Sequence, residues 1–257
     1  MQEERLALCL KISQAEWIKR LVDGCAWFGK IDNYIKQAVD SGNDDQGDRY
    51  EGIFARCRIN SELIEQYHND FGDDLEIIED GDYCWLRRRS SRLQKAFCMY
   101  GVKMADLEIT DVLNPEDAAP MGKFRCNISS RMYDGFLQDG SAPKDVAGFY
   151  CSAGHINEAL EKALNLQGYE WKRAMIQYDI DINQEFYIEP LEGYPELWHK
   201  RKELAYQHES RILIYDDNDE VKGIELQYEP ISVHSGGFAF GQLLIEGTAH
   251  LFRIDDK

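Results

Sequence analysis

The stretch LEIIEDGDYCWLRRR (75–89) constrains the fold more than any other part of the chain. Two β-prone runs, LEIIED and YCWLRRR, flank Gly81-Asp82, a residue pair suited to a tight hairpin turn. A hairpin makes antiparallel neighbours, and further strand-like runs surround this one: RLALCLKI (5–12), CAWFG (25–29), GIFARCRI (52–59), QKAFCMYGV (94–102), VAGFYCSA (146–153), WKRAMIQYDID (171–181), ESRILIY (209–215), VKGIELQY (221–228) and FAFGQLLI (238–245). Helical signals are short. SQAEWIKRLVDG (13–24) has Ser13 with Glu16 three residues on, a capping box, and a closing glycine. NSELIEQYHNDFG (60–72) is capped by Asn60 or Ser61, HINEALEKALNLQG (155–168) is amphipathic, and SSRMYDGFLQDG (129–140) reads as a helix. PELWHKRKEL (195–204) is a basic helical or turn segment. MADLEITDVLNPEDAAPMGKF (104–124), with its prolines and acids, reads as irregular. Strands and helices do not alternate as βα units, so the expected class is α+β: mixed, mostly antiparallel sheets with short peripheral helices, in a single domain over 1–257.

Apolar residues make up 44% of the chain, enough to bury a core. No run approaches a membrane-spanning length, and MQEERLALCLKIS lacks the basic and apolar order of a secretory signal. The seven cysteines are dispersed, with no CxxC spacing, which implies free thiols in a reducing cytoplasm rather than a disulfide framework or a zinc site. A net charge of −18 opposes non-specific attachment to nucleic acid or anionic lipid. Against that background LRRRSSRLQK is unusual, because Arg87, Arg88, Arg89, Arg92 and Lys95 fall within nine residues. It reads either as a surface strand balancing nearby acids or as a phosphate-binding wall for a nucleotide or RNA.

Glycine-rich phosphate loops, HExxH, GxSxG and EF-hand patterns are all missing from the sequence, and the six histidines make no metal-ligand pair at helical spacing. Two segments carry the functional expectation. WFGKIDNYIKQAVDSGNDDQGDRYEG (27–52) reads as a long acidic loop with specific turn residues, and long loops in compact domains are often functional. KELAYQHESRILIYDD (202–217) places Gln207, Glu209 and Arg211 at alternate positions entering an apolar strand, where they would share one face.

Together with KAFCMYG (95–101), these segments form an order of landmarks: Phe28, Gly29 and Tyr34; Gly47, Asp48, Tyr50, Glu51 and Gly52; Phe97 and Cys98; then Lys200, Tyr206, Gln207, Glu209 and Arg211. This order resembles a family of bacterial and phage-linked proteins of unknown function that are frequent near defence and toxin loci. Gln207-x-Glu209 also resembles the Gln/Glu-x-Glu signature of ADP-ribosyltransferases. That resemblance implies a split-sheet fold, NAD as substrate, a nucleic-acid or protein acceptor, and a neutralising antitoxin as partner. Breaking the nicotinamide–ribose bond makes an oxocarbenium-like sugar. Glu209 would hold the ribose 2′-hydroxyl and stabilise the developing charge, while Gln207 orients the nucleophile. Tyr34, Tyr50 or Phe28 would stack on nicotinamide, and Arg56 or Arg58 would meet the pyrophosphate. Arg87, Arg88, Arg89, Arg92, Lys95 and Arg211 are the candidate acceptor-binding cations. No metal is expected on this reading. Two other readings remain open: a metal-dependent nuclease or hydrolase using Asp48, Glu51 and Glu209, and a non-enzymatic acidic interaction protein.

Overall fold

The computed structural model describes residues 5–42, 47–113, 115, 121–134, 136, 145–231, 235–239 and 241–250. The first half carries β1 (Leu6–Gln14), α1 (Ala15–Val22), β2 (Cys25–Lys30), α2 (Ile31–Ser41), β3 (Ile53–Arg58), α3 (Glu62–Phe71), β4 (Leu75–Asp80), β5 (Tyr83–Arg88) and β6 (Lys95–Lys103). There follow β7 (Glu108–Leu113), β8 (Met121–Asn127), α4 (Arg131–Asp134), β9 (Val146–Ser152), α5 (Ala153–Leu166), β10 (Trp171–Met175) and β11 (Gln177–Ile180). The last elements are β12 (Phe186–Tyr187), β13 (His199–Arg201), β14 (Glu209–Ile214), β15 (Gly223–Gln227), β16 (Ser235–Phe238) and β17 (Leu244–His250). The class is α+β with mostly antiparallel sheets and few short helices, as the hairpin and strand signals imply. No described helix is long and apolar enough to cross a membrane.

The chain divides into two compact units, each assembled from separate segments. The first comprises Met1–Cys25, Met99–Ala163 and Gln227–Lys257. There β1 pairs antiparallel with the end of β6 and with β9, and β9 pairs with β16. A second sheet runs β17-β8-β7. Leu8, Leu10 and Ile12, at alternate positions of β1, pack with Phe124, Cys126, Phe238 and Ile245 into one core. The segment 104–124, expected to be irregular, thus supplies β7 and part of β8: alternation of buried Phe124 and Cys126 outweighs its acidic composition. The Ser13–Glu16 capping box does not form either. Ser13 and Gln14 remain in the β1–β9 ladder, opposite Ala147 and Val146, so α1 starts at Ala15 without a side-chain cap.

The second unit comprises Ala26–Cys98 and Leu164–Leu226. Here β14 is flanked by β10 and β6, β6 pairs with β2, and β2 with β15. A four-stranded sheet runs β12-β3-β5-β4, and β11 pairs with β13 in parallel. The hairpin expected at 75–89 is β4–β5, with Gly81 at φ +63. One face of that sheet is covered by α3, whose Tyr67 packs on Phe54, Cys57, Cys84 and Leu86. Ser61 caps α3 by accepting from the Leu63 amide. The expected acidic loop over 27–52 contains the end of β2 and an eleven-residue helix, α2, instead. Ile31, Ile35 and Ala38 recur at helical spacing and are buried, and Gly42 closes the helix in the left-handed conformation. The expected helix over 129–140 is described at Arg131–Asp134, while 135 and 137–140 lie outside the described residues, as do 43–46 and His234.

Candidate functional site: a buried charge cluster in the second unit

Strand β14 lies between two neighbours and is buried along its whole length. A strand in that position should be apolar, yet it begins Glu209-Ser210-Arg211. Period-two alternation points Glu209 and Arg211 the same way, and the guanidinium Nε of Arg211 donates to Glu209 Oε1 at 2.7 Å. Gln207 does not belong to this strand. It ends a 3₁₀ turn, and His208 adopts a left-handed conformation at φ 41, so the expected three-residue alternation begins only at 209. The Gln207 side chain nevertheless reaches the same place, accepting from Lys200 Nζ at 3.2 Å.

Lys200 arrives on the three-residue strand β13 and donates to Glu209 Oε2 at 2.6 Å. The turn 47–52 supplies the remaining acids. Arg211 donates to Glu51 Oε1 at 2.6 Å and also to the Leu197 carbonyl. Lys200 lies 3.5 Å from Glu51 Oε2, and Arg201 Nε donates to Asp48 Oδ1 at 3.1 Å. Three carboxylates and three cations, all buried, therefore meet from three separated stretches of sequence. The turn is held in place by its glycines. A Cβ on Gly47 would collide with the Tyr34 carbonyl of α2, and Gly52 sits at φ +72 against Ser91 and Leu197.

Burial alone would push the Glu209 carboxyl up, but Arg211 and Lys200 outweigh it and hold the group well below the usual carboxylate range. The same pairing raises Lys200 against its own burial, with Glu209 and then Glu51 as the cause. Asp48 behaves oppositely: burial, with Glu51 adding to it, pushes its carboxyl up to about 6 despite Arg201. Around Glu209 stand half-buried groups. The Tyr178 hydroxyl accepts from the Glu209 amide at 2.9 Å, and the Cys98 thiol hydrogen-bonds the carboxylate. The Tyr34 hydroxyl lies close enough to be raised by burial, by Cys98 and by Glu209 in turn.

The structure thus brings together Glu209, Gln207, Arg211 and Tyr34 of the residues expected from sequence, and separates the others. Phe28 is fully buried against Phe97 at 5.5 Å between ring centroids, where it offers no stacking face. Tyr50 stacks at a tilt on Trp85, centroids 4.6 Å apart, under the Arg201 guanidinium. Arg56 lies over the Tyr83 ring at 3.8 Å, whereas Arg58 is exposed and 3.5 Å from Glu185.

The basic run over 87–95 does not form one surface. Arg87 is buried and donates to the Arg49 carbonyl and to Glu76. Arg88, on the opposite face of β5, grips Glu196 with two hydrogen bonds of 2.8 and 2.7 Å. Arg89 is exposed. Arg92 pairs with Asp32 and Glu76, and Lys95 is fully buried on the 216–218 loop. Strand alternation and the following 3₁₀ turn send Arg88 to Glu196 and Lys95 to Asp216 and leave Arg87 and Arg92 sharing Glu76, so the five cations do not line up along one wall.

The proposed hard-cation trio of Asp48, Glu51 and Glu209 is corrected on the same grounds. Each of these carboxylates is already engaged by an Arg or Lys, and no described group of three His, Cys, Asp or Glu is arranged to hold a metal. Sequence reading missed Tyr178 as a neighbour of Glu209, gave Cys98 only as a landmark, and did not pair Arg201 with Asp48. The one available signal was HKR at 199–201, whose alternation separates Lys200 from Arg201. The chain matches no family model, no curated protein and no solved structure.

Proposed function

We propose that this chain is an enzyme that consumes NAD by ADP-ribosyl transfer, with Glu209 as the carboxylate that faces the reacting sugar. One observation carries the reading: Glu209 is held anionic at a buried position, beside Gln207, Cys98 and the tyrosines 34 and 178. A fixed negative charge in a water-poor site is worth most against a developing oxocarbenium ion, because no solvent must reorganise to supply it. The ribose 2′-hydroxyl would take the place of the Lys200 ammonium on Oε2, and Lys200 would keep Gln207 and Glu51 as partners. Arg211 would hold Oε1 and fix the plane of the carboxylate. The split sheet of the transferase family goes with this reading, and the mostly antiparallel strand content supports it in class.

A second reading is favoured by the closure of both Glu209 oxygens: the cluster is a structural keystone that ties 47–52, β13 and β14 together. Incubation with labelled NAD, cell RNA, DNA and lysate separates the two. Label transfer by the wild type that is lost in Glu209→Gln supports the enzyme, provided the variant retains a cooperative melting transition. No transfer together with no NAD binding by calorimetry leaves the keystone.

A further inference from the structure

A groove of about 490 Å³ lies in the second unit, away from the Glu209 carboxylate's own partners. One wall is a side of α2 that runs from buried Ile35 to exposed Lys36, Val39 and Asp40, which fall at helical spacing. The other wall is the face of the β4–β5 hairpin that carries Glu76, Ile78, Trp85 and Arg87, of which Trp85 and Arg87 are buried. Register places Glu76 opposite Arg87 and Ile78 opposite Trp85, so two ion-pairing residues and two flat or apolar ones stand side by side. Arg49 and Tyr50 close one end, with the Tyr50 ring against Trp85.

We infer that this groove is the seat of a purine nucleoside phosphate. The half-buried Tyr50 and Ile78 and the exposed Val39 offer the apolar contact that a purine base needs, over a floor of buried Trp85 and Ile35. The anion is called for by Arg87. Only 2% of it is exposed and it lines the groove, with one guanidinium nitrogen on the Arg49 carbonyl at 2.6 Å and another on Glu76 at 3.3 Å. Its Nε is buried without a hydrogen-bond partner, and a buried guanidinium donor is seldom left so unless a ligand or water completes it.

The charge pattern selects among anions. Lys36, Arg49, Arg87 and Arg92 are matched by Asp40, Glu76, Glu79 and Asp80 in the same lining. A polyanion such as a nucleic-acid strand gains no net attraction from such a wall. A mononucleotide does, since its phosphate meets cations while its amino and ribose hydroxyl donors meet carboxylates. The volume lies within the usual range for a small-molecule site, about 300–1,000 Å³. The groove meets the charge cluster at Tyr50, under the Arg201 guanidinium, but its lining holds none of Lys200, Arg211 and Cys98 that bond Glu209, so the inference stands whether or not that centre consumes NAD.

Calorimetric titration of the full chain with ADP and GDP tests it, with adenosine and inorganic phosphate as separate arms. Binding of a purine nucleotide is expected, weakened about tenfold or more in Arg49→Ala and in Val39→Trp, and weaker still for adenosine or phosphate alone. Val39 is 58% exposed, so the added indole fills the groove mouth without entering the core. Absence of nucleotide binding up to about 5 mM overturns the inference, as does binding that both variants retain unchanged. Phosphate binding as tight as that of the nucleotides also overturns it, because the site would then read only an anion. Lys36→Glu, at an exposed helix position, gives the same reading should Val39→Trp fail to fold.

Discussion

Removal of the Glu209 carboxylate should destabilise the second unit through the charges it leaves behind. In Glu209→Leu, Lys200 loses its 2.6 Å partner and Arg211 its 2.7 Å partner. The cluster then holds Lys200, Arg201 and Arg211 against Asp48 and Glu51, one uncompensated positive charge at depth. Breaking a buried pair by deleting one partner costs about 3–5 kcal/mol. For a chain of this size each kcal/mol moves the midpoint by roughly 2–4 °C, so a fall of about 6–20 °C is expected. Adding Lys200→Met removes the orphaned ammonium and leaves two cations against two carboxylates. The double variant should therefore be more stable than Glu209→Leu alone, an inversion that simple loss of contacts does not produce. Thermal and urea unfolding of the wild type, both singles and the double close the cycle. Additive losses, with the double variant the least stable of all, would refute the argument that an unpaired buried charge is the main cost.

The Asp48 carboxyl, raised to about 6 in the fold against about 3.9 unfolded, prefers its proton in the folded state. Its contribution is fully present below pH ~4 and is lost as pH rises through 6, by about 3 kcal/mol in all. Urea midpoints at pH ~4.5 and ~7.5 should show that decline in the wild type relative to a flatter Asp48→Asn. Glu209, with its lowered value, gives a contribution that is full well above the ordinary glutamate value and fades as the solution is acidified below it. Gly47→Ala should shift the 47–52 turn away from α2 and cost about 1–3 kcal/mol by urea denaturation; an unchanged midpoint would contradict the close approach to Tyr34. Lys95→Met should free the loop it anchors through the Asp216 and Asn218 carbonyls, at 2.7 and 3.1 Å. Amide exchange at 218–220 should then rise about tenfold, and unchanged protection would show that the loop holds without that anchor.

Where local pattern and tertiary packing agree, the fold is legible in the sequence. The β4–β5 hairpin follows from its turn residues, and the Glu209–Arg211 pairing follows from strand alternation. Helix α2 was hidden because only Ile31, Ile35 and Ala38 of its eleven residues are buried, within a polar background that reads as loop. Ser13 carried a valid capping signal that a β ladder with β9 outweighed. Gln207 was misplaced by one left-handed residue, His208, at φ 41. The basic run misled for a different reason. Adjacent cations look like one patch until their partners are known, and Glu196 and Asp216 lie more than a hundred residues away in sequence.

Nicotinamide release from NAD by the full chain, followed over time in the presence of cell RNA, DNA and lysate, tests the central proposal most directly. Release by the wild type, abolished in a folded Glu209→Gln, is the predicted result. Equal release by both proteins, or none by the wild type, would contradict a reacting role for Glu209.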